Sequence, residues 1–161
     1  MSKPTSKTAY FCPSIPPRLI VNADDFGICP RVNEGIVLAH RTGILTAASL
    51  MAGGEAFGHA VSLCRNIPSL DIGIHLTLVG GRPLLPDVPS LVDGADRFPI
   101  GIGPFLARFL KGGVLLPDVR REWSAQIERI LANGLKPSHL DSHQHLHTLP
   151  RISDIALELA E

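Results

Sequence analysis

Three clusters of side chains hold the chemistry of this 161-residue chain. The carboxylates Asp24 and Asp25 are adjacent in NADDFG (residues 22–27). A single imidazole, His75, interrupts the apolar run GIHLTL (residues 73–78). His139, His143, His145 and His147 crowd HLDSHQHLH (residues 139–147). Adjacent carboxylates repel, which raises one pKa unless a cation lies close by. A divalent metal removes that cost: one Asp ligates it, and the other stays free to take a proton from water. Two imidazoles would complete a three-residue set with open positions, the general form of a hydrolytic metal site. The residues alone leave open which Asp takes which role and which imidazoles join. Taken singly, each cluster also has a structural explanation. The Asp pair suits a helix cap, His75 a hydrogen-bonded core position, and the 143/145/147 alternation a strand face or a His-rich loop. His40 and His59, in helical stretches, read as surface or packing residues.

The elements that must position these groups are read from periodicity and punctuation. Leu19-Ile20-Val21 is a short β-branched run and reads as a first strand buried on both faces. Pro30 opens a helix to about Thr42, with Val32, Ile36 and Ala39/His40 as its stripe and Gly43 as its stop. Leu45–Met51 reads as a second strand, Glu55–Arg65 as a second helix, and residues 71–78 as a third strand. Residues 79–104 are dense in Gly and Pro, and a connection of that length is usually functional or mobile. Phe105–Lys111 reads as a short helix. Pro117 opens a longer one carrying Val119, Trp123, Ile127, Ile130 and Leu131, with Gly134 as its end. Ser138–Asp141 is a fourth strand, and Pro150 opens a helix still running at Glu161. Strand and helix therefore alternate four times, the pattern of an α/β fold with parallel strands. A closed (β/α) barrel takes roughly 250 residues, so the chain supplies about half of one. In such folds the strand carboxyl ends face the ligand. Asp24-Asp25, His75 and the 139–147 cluster all fall at that rim.

Composition narrows the alternatives. Apolar residues make up 45% of the chain and charged residues 19%, enough to bury a core. Fifteen Lys and Arg balance fifteen Asp and Glu, so nothing points to nucleic acid or an anionic membrane as partner. No apolar run is long enough to span a bilayer. The first residues lack a continuous apolar segment of the secretory type, and residues 1–17 read as a flexible tail. The three cysteines, Cys12, Cys29 and Cys64, form no CxxC pair. They read as small apolar residues in a reduced, cytoplasmic setting rather than as a disulfide frame or zinc ligands. No second ligand cluster and no Gly-rich phosphate loop accompanies the first, which ranks phosphoester chemistry last.

NADDFG after a first strand, GIHLTL at a third and HLDSHQHLH at a fourth resemble the YdjC-like carbohydrate deacetylases. That family includes the chitooligosaccharide deacetylases and deacetylases associated with hopanoid biosynthesis. GGRPL (residues 80–84) is similar as well, and the likeness runs over nearly all of residues 18–161. The resemblance implies a parallel (β/α) barrel of the polysaccharide-deacetylase type, here only about its N-terminal half. It implies a divalent ion, Mg²⁺ or Zn²⁺, held by Asp25, His75 and His143, with Asp24 as general base. The implied reaction removes an N-acetyl group from an amino sugar or short chitooligosaccharide. The family's C-terminal half supplies further strands and a histidine that protonates the leaving amine. Residues 18–161 are therefore expected to form the N-terminal part of the domain, as a truncated product or fragment. The alternative is a non-catalytic metal-binding remnant, or an interaction partner completed by another chain. A homo-oligomer stays open.

Overall fold

The computed structural model describes residues 18–161. The expected tail, residues 1–17, and Cys12 lie outside the described residues. Four strands, β1 (Asn22–Phe26), β2 (Ala47–Leu50), β3 (Asp71–Leu76) and β4 (Leu140–Ser142), form one sheet in the order β1-β2-β3-β4. Every pairing is parallel. Helices α1 (Pro30–Thr42) and α2 (Phe57–Arg65) make the first two crossovers. The third carries α3 (Ile102–Leu110) and α4 (Leu116–Ala132), and α5 (Ile152–Leu159) follows β4. The sheet is open: β1 and β4 each have one strand neighbour among the described residues. The α/β class and the parallel sheet agree with the sequence reading, whereas a closed barrel is not what the four strands form.

The first strand lies later than its apolar run suggests. Leu19 and Ile20 are exposed at 76% and 73%. The ladder begins only where Val21 O accepts Thr46 N and Ala47 N. β1 is instead NADDF, with Asn22 and Asp24 exposed and Phe26 fully buried. An apolar run was the wrong guide because this sheet is not covered on both faces. One face carries Ala48, Leu50, Ile72 and Ile74 into a core with Phe57, Trp123 and Ile130. The other carries polar side chains. The α1 stripe is also turned from the expected one: Asn33, Ile36 and Val37 are buried, while Ala39 is exposed. Asn33 is buried because its amide joins two loops, accepting Gly27 N at 2.7 Å and donating to Ala56 O at 3.1 Å. The last helix ends at Leu159.

The Gly/Pro-rich connection is pinned rather than loose. Fully buried Glu122 on α4 accepts the backbone N–H groups of Leu84 and Leu85. Gln126, one turn on, accepts Thr77 N at 2.9 Å and donates to Thr77 O at 2.8 Å and to Glu122 at 2.8 Å. Val88, Leu91 and Phe98 then enter the core. Burial pushes the Glu122 carboxyl above its ordinary 4.5, against the hydrogen bonds from Gln126, Leu84 and Leu85. The folded chain therefore holds a proton that the unfolded chain has released. Unfolding free energy should fall as pH rises from 4.5 through the raised value. Denaturant titrations across that window should show a negative slope that is lost in Glu122→Gln. An unchanged slope would mean that another group titrates there.

Candidate metal centre

A break in the ladder brings both carboxylates of NADDFG to the polar face. Ala23 is in register with Ala48 and Phe26 with Leu50, so Asp24 and Asp25 together oppose Ser49. One residue is extra, and Asp25 takes it up at φ 63°, in the left-handed region. Such bulges re-aim side chains near sites. A non-glycine residue held left-handed costs on the order of 1–3 kcal/mol, which the surrounding structure must offset. Asp, with its short polar side chain, is among the residues that tolerate it best. Strict alternation would have sent the two carboxylates to opposite faces. Phe26, Met51 O and Gly27 lock the turn that follows: Met51 N donates to Phe26 O at 2.7 Å, and a Cβ on Gly27 would lie 3.1 Å from Met51 O.

His75 comes from β3, and His143 follows β4 directly. Asp25 Oδ1 lies 3.3 Å from His75 Nε2 and 2.8 Å from His143 Nδ1, and the two rings meet edge-on at 5.5 Å. Buried Asp25 Oδ1 nevertheless has no hydrogen-bond partner. Three potential electron-pair donors thus converge on one point. One ligand atom from each of Asp25, His75 and His143 lies within 4.8 Å of the other two. A carboxylate with two imidazoles is a donor set that divalent ions take, with positions left over for water or substrate. These residues fit a cation.

Asp24 lies beside this set rather than in it. Its carboxylate accepts Asn22 Nδ2 at 2.9 Å and is exposed. It forms a second group with His75 and Asp141, again within 4.8 Å. Asp141 is the residue the sequence reading passed over. Its Oδ1 lies 2.6 Å from His75 Nδ1, and its Oδ2 accepts Ser49 Oγ at 2.8 Å. Burial pushes the Asp141 carboxyl up, but the bonds from His75 and Ser49 and the neighbouring imidazoles of His75 and His139 carry it below its ordinary value. The signal lay in the alternation of His139, Asp141 and His143, a period-two strand face. The alternation 143/145/147 is not a strand face. A 3₁₀ segment, His143–Thr148, begins at His143, and Gln144 and His145 are left-handed. His147 Nδ1 is tied to Ser142 Oγ at 2.8 Å. His40 bridges Leu45 O and Ser69 Oγ at 2.8 Å each, a packing role. Cys64 is buried with its thiol pushed up to about 11, an inert small residue.

A cleft of about 310 Å³ opens beside His143, between Met51, Glu55, Thr77, Arg82 and Arg97. A larger groove of about 690 Å³, lined by Leu106, Phe109, Leu110 and Leu115, shares no residue with the metal set.

Comparison with known proteins follows the same blocks. A family model described as YdjC-like protein matches residues 18–161. A carbohydrate deacetylase of Brevibacillus brevis is 48% identical over 144 residues, covering 89% of this chain and 56% of that protein. A chitooligosaccharide deacetylase of Proteus mirabilis is 39% identical over 145 residues, covering 89% and 55%. A crystal structure from Enterococcus faecalis V583, of a protein named for cellobiose-phosphate cleavage, superposes with a TM-score of 0.79 at 38% identity. It covers 88% of this chain and 54% of that one. The chain spans about half the length of the curated relatives it matches. Among the described residues no helix is long and apolar enough to cross a membrane.

Removing a ligand should weaken binding more than the about 10–100-fold that loss of a partner behind a ligand costs. Calorimetric titration with Zn²⁺ should show that loss for His75→Ala and for His143→Ala, with His40→Ala unchanged. Parent affinity in either ligand variant would put the ion elsewhere.

Proposed function

The chain belongs to the YdjC-like family, and from that premise we propose that it carries the metal half of a carbohydrate N-deacetylase site. The reaction is hydrolysis: water adds to the acetamide carbonyl of an amino sugar or short chitooligosaccharide, the C–N bond breaks, and acetate and a free amine leave. Residues 18–161 are read as the N-terminal part of the deacetylase domain. The observation that carries the reading is the convergence of Asp25, His75 and His143 around an unpartnered carboxylate oxygen, with a second carboxylate alongside.

A divalent ion, Zn²⁺ or Mg²⁺, supplies Lewis acidity and positive charge at the reacting carbonyl. Two imidazoles and one carboxylate suit Zn²⁺ or another transition ion better than Mg²⁺. Asp25, His75 and His143 would hold it with their lone pairs. That leaves Asp24 as the carboxylate free to accept a proton from the attacking water. Asn22 supports the role by hydrogen-bonding Asp24 Oδ1 and fixing its direction. The departing nitrogen takes one proton as the bond breaks. The cleft beside His143 is the space for the sugar, lined by side chains that hydrogen-bond hydroxyl groups, Glu55, Arg82 and Arg97. The names of the Brevibacillus and Proteus relatives support the substrate class.

General-base catalysis contributes about 10²–10⁴-fold. Acetate release from N,N′-diacetylchitobiose should therefore fall by that range in Asp24→Asn, stop on chelation and return with Zn²⁺ or Mg²⁺. Parent rates in Asp24→Asn would remove Asp24 as the base. Release that survives chelation would remove the metal, and tight Zn²⁺ binding without release would leave a metal-binding chain rather than an enzyme.

A further inference from the structure

A neutral imidazole carries one N–H and one lone pair, and a metal takes only the nitrogen with the lone pair. His75 is 2% exposed, and each of its nitrogens faces a carboxylate, Asp25 at Nε2 and Asp141 at Nδ1. The two sides differ. The contact of Nδ1 with Asp141 Oδ1, at 2.6 Å, has hydrogen-bond geometry, whereas that of Nε2 with Asp25 does not. A carboxylate only accepts, so Nδ1 donates.

Asp141 is held for this task by the sheet itself. It is in register with His75 across β3 and β4. Its second oxygen accepts the only hydroxyl hydrogen of Ser49, a fully buried residue of β2. Ser49 Oγ in turn accepts Asn22 Nδ2 at 2.9 Å and lies 3.3 Å from His139 Nε2. His139 fits beside Ser49 because residue 73 is glycine: a Cβ there would fall 2.1 Å from its Nε2. Four strands thus contribute to one chain of polar contacts ending at Nδ1 of His75.

We propose that Asp141, held by Ser49, is a positioning residue that fixes His75 as the Nδ1–H tautomer and so turns the Nε2 lone pair toward Asp25 and His143. This chooses between the two candidate ligand groups. The group of Asp24, His75 and Asp141 would need a carboxylate whose two oxygens are already engaged, Oδ1 by His75 Nδ1 and Oδ2 by Ser49 Oγ. The purpose of the arrangement rests on the metal reading above; the tautomer does not.

The test uses the full chain labelled with ¹⁵N-histidine. Long-range ¹H–¹⁵N spectra without metal should show His75 protonated at Nδ1 and bare at Nε2. Asp141→Ala should lose that preference and bind Zn²⁺ about 10–100-fold more weakly. Asp141→Asn keeps the shape and an oxygen acceptor, and should regain tautomer and affinity relative to alanine. Circular dichroism on the same samples separates unfolding from repositioning. His75 protonated at Nε2 in the parent, or tautomer and affinity unchanged in Asp141→Ala, overturns the proposal. A parent chain that binds no Zn²⁺ overturns the metal reading, and the metal-free tautomer then still decides the role of Asp141.

Discussion

Electron pairs from Asp25, His75 and His143 meet in a small volume at the mouth of the sheet, with no hydrogen bond to reconcile them. A buried carboxylate oxygen 2.8 Å from a ring nitrogen, with no hydrogen-bond partner, is unfavourable unless a positive charge lies beside it. Several local features hold this meeting in place. The extra residue in β1, the left-handed Asp25, the bonded Asp141–His75 pair and the missing side chain at Gly73 all act on one polar face. The left-handed Asp25 is unfavourable alone and becomes sensible once a cation is its partner.

The rest of the fold makes that face rigid. The opposite face packs its aliphatic side chains into a continuous core with the helices. Asn33 ties the loops after β1 and β2, and Glu122 with Gln126 ties the end of β3 and the loop beyond it. The cleft beside His143 is thus framed by loops whose backbone donors and acceptors have fixed partners. Such support keeps a ligand set within a few tenths of an ångström of working geometry.

The three residues that converge were easier to read from the sequence than the first strand that carries one of them. NADDFG, GIHLTL and HLDSHQHLH contain the three residues that converge, and their placement at strand ends follows from the alternation of elements. The first strand was misread because Leu19-Ile20-Val21 looks like buried sheet, whereas an open sheet with one polar face hides its strand in NADDF. Asp141 was missed because its role depends on register with His75, which the alternation of His139, Asp141 and His143 does not state by itself. The bulge was equally invisible, since one extra residue between Ala23 and Phe26 appears only when β2 is laid beside β1. Helix α1 matched its expected bounds because Pro30 and Gly43 mark both ends.

X-ray absorption at the zinc edge of the Zn²⁺-loaded chain reads the inner coordination shell directly. The account requires two imidazole rings, visible by their multiple scattering, and a carboxylate oxygen, all at about 2.0–2.2 Å. A shell of oxygens alone, or one containing sulfur from Cys29 or Cys64, would contradict it.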